Sequence, residues 1–206
     1  IKDVCIKRYG AAGAIAGWVG PIGTDRDFEY EDVWFESKYV SLSMDKVHIS
    51  SLDQLDVDRP GYLVLCRAEK VAETAVNRIT LNELIDSIET IIGFDENVLV
   101  SFRNKLALAG YNSSDDSSMQ PYVVQRLEHY IVEGEEFARI RRSEVHTAVS
   151  NGDYQLSIPA LQQWSSEITK VQEGTLCKLL KNTARIFLKI HLRLRKAKQT
   201  ERLRVL

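Results

Sequence analysis

Cysteine is nearly absent from this chain: Cys5, Cys66 and Cys177 stand far apart among 206 residues. Odd in number and without CxxC or Cys/His spacing, they argue against a disulfide framework or a zinc site and predict a reducing, cytoplasmic setting. Long apolar runs are also missing. Nothing approaches the roughly 20 residues that cross a bilayer, and the Gly/Ala-rich stretch from Gly10 to Trp18 is too short and wrongly flanked for a signal peptide. The expected protein is neither membrane-embedded nor secreted. The sequence opens on Ile1 rather than on methionine, so a preceding segment is expected. There is no internal repeat. The pairs Gly10/Gly13 and Gly17/Gly20 lack the strand, glycine loop and helix of a dinucleotide or phosphate site, and read as turn or helix-packing glycines. His48, His129, His146 and His191 show no metal-ligand spacing.

What is present is ordinary globular material, 44% hydrophobic and 27% charged, enough for a substantial core. The net charge of −2 conceals a strong asymmetry. Residues 178–206 carry ten Lys/Arg against one acid, whereas the first 177 residues carry 17 basic and 28 acidic side chains, or −11. Such a basic block suits a nucleic acid or an acidic protein surface, or serves as a solvated face.

The opening stretch reads as helix to about Ala16, followed by a turn-rich connection through Gly17, Gly20, Pro21 and Gly23. From Asp27 to Val40 the pattern is a β-hairpin turning near Glu31-Asp32. Alternation on its second strand puts Trp34, Glu36, Lys38 and Val40 on one face and Phe35, Ser37 and Tyr39 on the other. Further strands are expected at Val47–Ile49, Tyr62–Ala68, Tyr122–Val132 and Tyr154–Ile158, with a helical turn over Ser50–Leu55. Tyr62–Ala68 is apolar enough to be buried on both faces. Thr80 and Glu83 form a capping-box pattern that opens a helix to about Ile92, and a second helix, Asn97–Ala109, stops at Gly110. The polar segment 112–118 reads as a mobile loop dividing a core, 1–111, from a C-terminal subdomain, 119–206. From Leu176 onward the apolar positions follow helical spacing and predict a long basic amphipathic helix, suited to docking, self-association or nucleic-acid contact.

One set of residues could carry chemistry. Phosphodiester hydrolysis needs a metal to stabilise charge and activate water, and Mg²⁺ favours a few carboxylate oxygens plus waters. Asp27 and Glu36, nine residues apart across a hairpin, could supply them. Lys38, two residues on, could position or help deprotonate the attacking water. A Glu and a Lys on one strand face are also commonly a surface pair worth about 1 kcal/mol or less.

The Asp, Glu-x-Lys layout resembles the PD-(D/E)XK nuclease superfamily, with Arg26-Asp27 where the motif has Pro-Asp and Glu36-Ser37-Lys38 as its second half. The similarity runs further. Trp18-Val19-Gly20-Pro21-Ile22-Gly23 before Asp27-Phe28, then Ile49-Ser50-Ser51, Gln54-Leu55, Leu108-Ala109-Gly110-Tyr111, Phe137-Ala138-Arg139-Ile140 and Asp153 to Ile158 look like the bacterial family known as PD-(D/E)XK motif proteins. That resemblance implies an α/β, restriction-endonuclease-like core with a mixed central sheet flanked by helices. It also implies Mg²⁺-dependent (or Mn²⁺-dependent) DNA cleavage within a bacterial restriction or phage-defence system. Asp27 and Glu36 would bind metal, Lys38 would assist the nucleophile, and Gln54 would be an accessory catalytic residue; a helix cap is its plainer reading. Two departures stand out: the motif's proline is absent, and the helix preceding the hairpin, where such nucleases often carry another acid, is largely missing. They keep open a non-catalytic DNA-binding or assembly subunit of the same fold. Expected partners are DNA, defence-system proteins and a second copy of the chain. Arg139, Arg141, Arg142, Arg193, Arg195 and Lys196 are candidate phosphate contacts or solvated charges.

Overall fold

A computed structural model describes residues 5–166. The expected tail helix, Arg193, Arg195, Lys196, Cys177 and His191 lie outside the described residues. The helix read as largely missing is a ten-residue element, α1 (Lys7–Ala16), bent at Gly10 and carrying no acid. After a one-turn 3-10 segment, Gly20–Ile22, come β1 (Phe28–Glu29) and β2 (Trp34–Val40), the expected hairpin. There follow β3 (Lys46–Ile49), a 3-10 turn at Leu52–Gln54 and the long β4 (Gly61–Lys70). Next are α2 (Leu81–Ile92), α3 (Glu96–Leu108), the short α4 (Asp116–Met119), β5 (Tyr122–Val132) and β6 (Tyr154–Ser157). The capping box forms as its sequence implies: Glu83 N donates to Thr80 Oγ1, and Thr80 N to the Glu83 carboxylate.

The central sheet has the order β1-β2-β4-β5. β2 and β4 run parallel, while β1 and β5 are antiparallel to their neighbours. β3 and β6 pair separately. The fold is thus a mixed α/β architecture with a mixed sheet. Because alternate side chains leave opposite faces of β2, Phe35 joins the layer built by Trp18, Phe28 and the apolar sides of α1, α2 and α3. Trp34 and Val40 join the other layer, with Val47, Ile49, Leu55, Leu63, Leu65, Leu156 and Ile158. That second layer is the small β3/β6 sheet and its turns packed against the central sheet.

Segment 112–118 is exposed at most of its positions and hydrogen-bonded within itself: Ser118 is fully buried and its hydroxyl donates to the Asn112 carbonyl at 2.7 Å. β5, beyond it, pairs with β4 along its whole length, so residues on both sides of 112–118 build one sheet.

Gly61 lies directly across from Trp34 in the sheet, and the indole fills the space a side chain would need. A Cβ there would sit 2.0 Å from Trp34 Cε2. Gly61→Ala is therefore expected to destabilise by about 3 kcal/mol, in the upper part of the overpacking range. Urea denaturation checks this, as a lowered midpoint with an unchanged slope.

Candidate active site

Among the described residues, the buried polar and charged side chains are few, and four are the ones the sequence singled out: Asp27 (4% exposed), Glu36 (0%), Lys38 (5%) and Gln54 (4%). Each arrives by a different route. Phe28 pairs with Phe35, so the register carries Asp27, one residue earlier, across from Glu36. Since Phe28 faces the helices, Asp27 faces the other way, as do Glu36 and Lys38 on β2. The turn at Leu52–Gln54 then brings Gln54 over the same face.

Lys38 bonds two of the others, and Asp27 is held by the backbone between Glu36 and Lys38. Ser37 N, between Glu36 and Lys38, donates to Asp27 Oδ2 at 2.8 Å. Lys38 Nζ lies 2.8 Å from Glu36 Oε1 and donates to Gln54 Oε1 at 2.7 Å. Gln54 Oε1 also accepts from Ser50 N (3.0 Å) and Ser50 Oγ (3.3 Å), while Gln54 Nε2 donates to the Asp25 carbonyl at 3.2 Å. These contacts fix which way the carboxamide points: its oxygen faces the lysine.

The loop before Asp27 is held as firmly. Val19 N and Gly20 N each donate to the Asp27 carbonyl at 3.0 Å. Lys105 Nζ, from α3, donates to the carbonyls of Ile15, Ala16 and Trp18, fastening α3 to the C-terminal end of α1 and the residues just beyond it. Burial pushes the Lys105 pKa down. Arg26, which stands where the motif has proline, donates to Glu29 Oε1 at 2.6 Å and to the Asp53 carbonyl at 3.1 Å. It ties β1 to the turn bearing Gln54. Arg26 and Ser50 are site supports that the sequence reading does not name as such: the Arg26–Asp53 bond spans 27 residues and leaves no local spacing, whereas Ser50, four residues before Gln54, has a spacing that could have pointed to it.

The donor set fits a hard divalent cation. Glu36 lies on β2 and Asp27 immediately before β1, with its Oδ2 on Ser37 N, and Mg²⁺ characteristically takes one or two carboxylates and keeps its waters. Gly20 lies close against one of them: a Cβ there would come within 3.2 Å of Asp27 Oδ1. No group of three or more His, Cys, Asp or Glu suited to a metal ion occurs among the described residues.

In the basic stretch, Arg139 and Arg141 are half-buried and Arg142 is exposed. Arg139 donates to the carbonyls of Leu55, Val57 and Gly134, and burial lowers its pKa. Arg141 lies 2.9 Å from Glu135 and 3.6 Å from Asp56 and Asp58. Arg142 donates to the carbonyls of Val149 and Ser150. These arginines fasten the 134–150 connection to residues 53–58. His48 Nε2 is 2.7 Å from Asp153 Oδ2 across β3 and β6, an exposed pair that holds the Asp153 pKa below its usual range.

No helix among the described residues is long and apolar enough to cross a membrane. No curated protein and no solved structure matches the chain. Residues 1–159 match the family model described as "Putative PD-(D/E)XK family member, (DUF4420)". With most of its length accounted for by that match, the chain belongs to the DUF4420 family.

Proposed function

We propose that this protein is a divalent-metal-dependent DNA endonuclease, acting in the bacterial cytoplasm as part of a restriction or phage-defence system. The observation that carries the reading is the buried set Asp27, Glu36, Lys38 and Gln54, in which Lys38 bonds both Glu36 and Gln54 and Asp27 accepts from the backbone N–H of Ser37 between Glu36 and Lys38. Isolating two acids and a lysine from water is costly unless each is compensated, and such clusters concentrate where chemistry is done.

Asp27 and Glu36 would hold Mg²⁺ or Mn²⁺. When bound, the cation supplies charge neutralisation at the phosphate and a more acidic water. Lys38 donates to the attacking water and offsets negative charge on the phosphate. Gln54, oriented by Ser50 and the Asp25 carbonyl, positions the Lys38 ammonium. Among the basic residues of the 139–142 stretch, Arg142, with 42% of its side chain exposed, is the candidate phosphate contact.

The test is cleavage of plasmid and linear DNA with Mg²⁺ or Mn²⁺, beside an EDTA control and Lys38→Ala. Metal-dependent cleavage lost by about 10²-fold or more in the variant is expected. A folded Lys38→Ala protein that cleaves as well as the parent would overturn the assignment. The near-complete burial of the four side chains favours one second reading, a DNA-binding subunit without turnover. Salt-sensitive DNA binding with no cleavage in any divalent metal would establish it.

A further inference from the structure

The lysine and a divalent cation compete for the same oxygen. Lys38 Nζ sits at 2.8 Å from Glu36 Oε1, and both side chains are almost wholly enclosed. An ammonium and a hard cation both bind carboxylate oxygens, and they repel one another strongly in a site screened from water. With both carboxyls ionised and the amine protonated, Asp27, Glu36 and Lys38 together would carry one net negative charge. Adding a dication with Lys38 in place would reverse that to one net positive charge, enclosed by protein, which moving the ammonium away relieves. Gln54 supplies a second acceptor, at 2.7 Å from Nζ. Its oxygen is fixed independently of the lysine by Ser50 N and by the bond from Gln54 Nε2 to the Asp25 carbonyl.

We propose that Lys38 is the resident counter-ion of Glu36 in the cation-free protein, and that it gives up Glu36 Oε1 as a divalent cation enters while staying tethered to Gln54. The ammonium then becomes available to the reacting phosphate only in a loaded site, so the same residue keeps the empty site neutralised and serves the filled one. This inference rests on the metal-site reading above.

Two measurements on the full chain test it. The first is amine acetylation by a water-soluble N-hydroxysuccinimide ester, read by peptide mass spectrometry in EDTA and in Mg²⁺. Lys38 is expected to label slowly in EDTA and several-fold faster in Mg²⁺, while exposed Lys46 and carbonyl-bound Lys105 keep their rates. The second is calorimetric titration with Mn²⁺. Lys38→Gln is expected to bind roughly tenfold more tightly than the parent, because removing the ammonium leaves the buried carboxylate uncompensated until the cation arrives, and Glu36→Gln is expected to lose binding. If Lys38→Gln does not fold, labelling of the parent decides alone. Mn²⁺ binding to the parent with Lys38 labelling unchanged by Mg²⁺ would overturn the inference and leave the metal site standing. Absence of Mn²⁺ binding in both the parent and a folded Lys38→Gln would overturn the metal site itself.

Discussion

Glu36→Leu alone, or Lys38→Met alone, is expected to cost about 3–5 kcal/mol of folding stability, whereas the double substitution is expected to return close to the parent or exceed it. The pair is enclosed between the central sheet and the β3/β6 layer, with Glu36 fully buried and its Oε1 on Lys38 Nζ. Either single change leaves a charge with its desolvation cost and without the partner that offset it. Replacing both removes that cost and substitutes apolar volume beside Trp34, Val40 and Leu63, which already line this layer. Urea denaturation of the four proteins closes the thermodynamic cycle, and the expected signature is strong non-additivity. Additive single effects would mean that the two charges are compensated separately, with Gln54 and Asp27 carrying more of the balance than the ion pair does. Cleavage is expected to be absent from all three variants, so recovery of stability without recovery of activity separates the site's structural role from its chemical one.

That separation bears on how much the sequence could reveal. Alternation along Trp34–Val40 is enough to put Glu36 and Lys38 on one face, and hairpin spacing is enough to set Asp27 opposite Glu36; both are local consequences of strand geometry. The capping box at Thr80 and Glu83 is local as well. What covers that face is not local. Gln54 reaches Lys38 only because the turn at Leu52–Gln54 folds back over β2, and that turn is anchored by Arg26, by Arg139 and by the pairing of β3 with β6 from far along the chain. The same distant contacts explain why Arg139, Arg141 and Arg142, which read as a basic stretch, bond to carbonyls and acids of the protein itself. A charge run in sequence carries no sign of which carboxylates its fold will bring near. Segment 112–118 is exposed at most of its positions, as its serines and aspartates suit, and the same short side chains also bond to neighbouring backbone. Here Asn112 Oδ1 accepts from Ser114 N, and Ser118 Oγ donates to the Asn112 carbonyl.

His129 shows a second consequence of burial, and it sets the acid side of the stability profile. It lies on β5 opposite Val64, between the pairs Tyr62/Ile131 and Cys66/Leu127, on the face of the sheet that the helices cover. Burial there pushes its pKa from the ordinary 6.5 down to about 4. A base whose pKa is depressed in the folded protein is protonated first in the unfolded chain, so protons favour unfolding between the two values. The contribution is present in full above about pH 6.5 and disappears as the pH falls toward 4, amounting to roughly 3 kcal/mol over the whole window. The carboxylates held below their usual range, Glu83 by the Thr80 N–H and then Arg78, and Glu89 and Glu128 by neighbouring arginines, act lower, as their unfolded forms begin to protonate. The interval from pH 6.5 to about 4.5 therefore belongs chiefly to His129. Denaturation of the parent and of His129→Leu at pH 7.5 and pH 4.5 is expected to show the parent losing roughly 2–3 kcal/mol more than the variant across that interval. Parallel pH profiles for the two proteins would mean that His129 takes up its proton in the folded state as readily as in the unfolded one, and that the helix-covered face of β5 admits a charge.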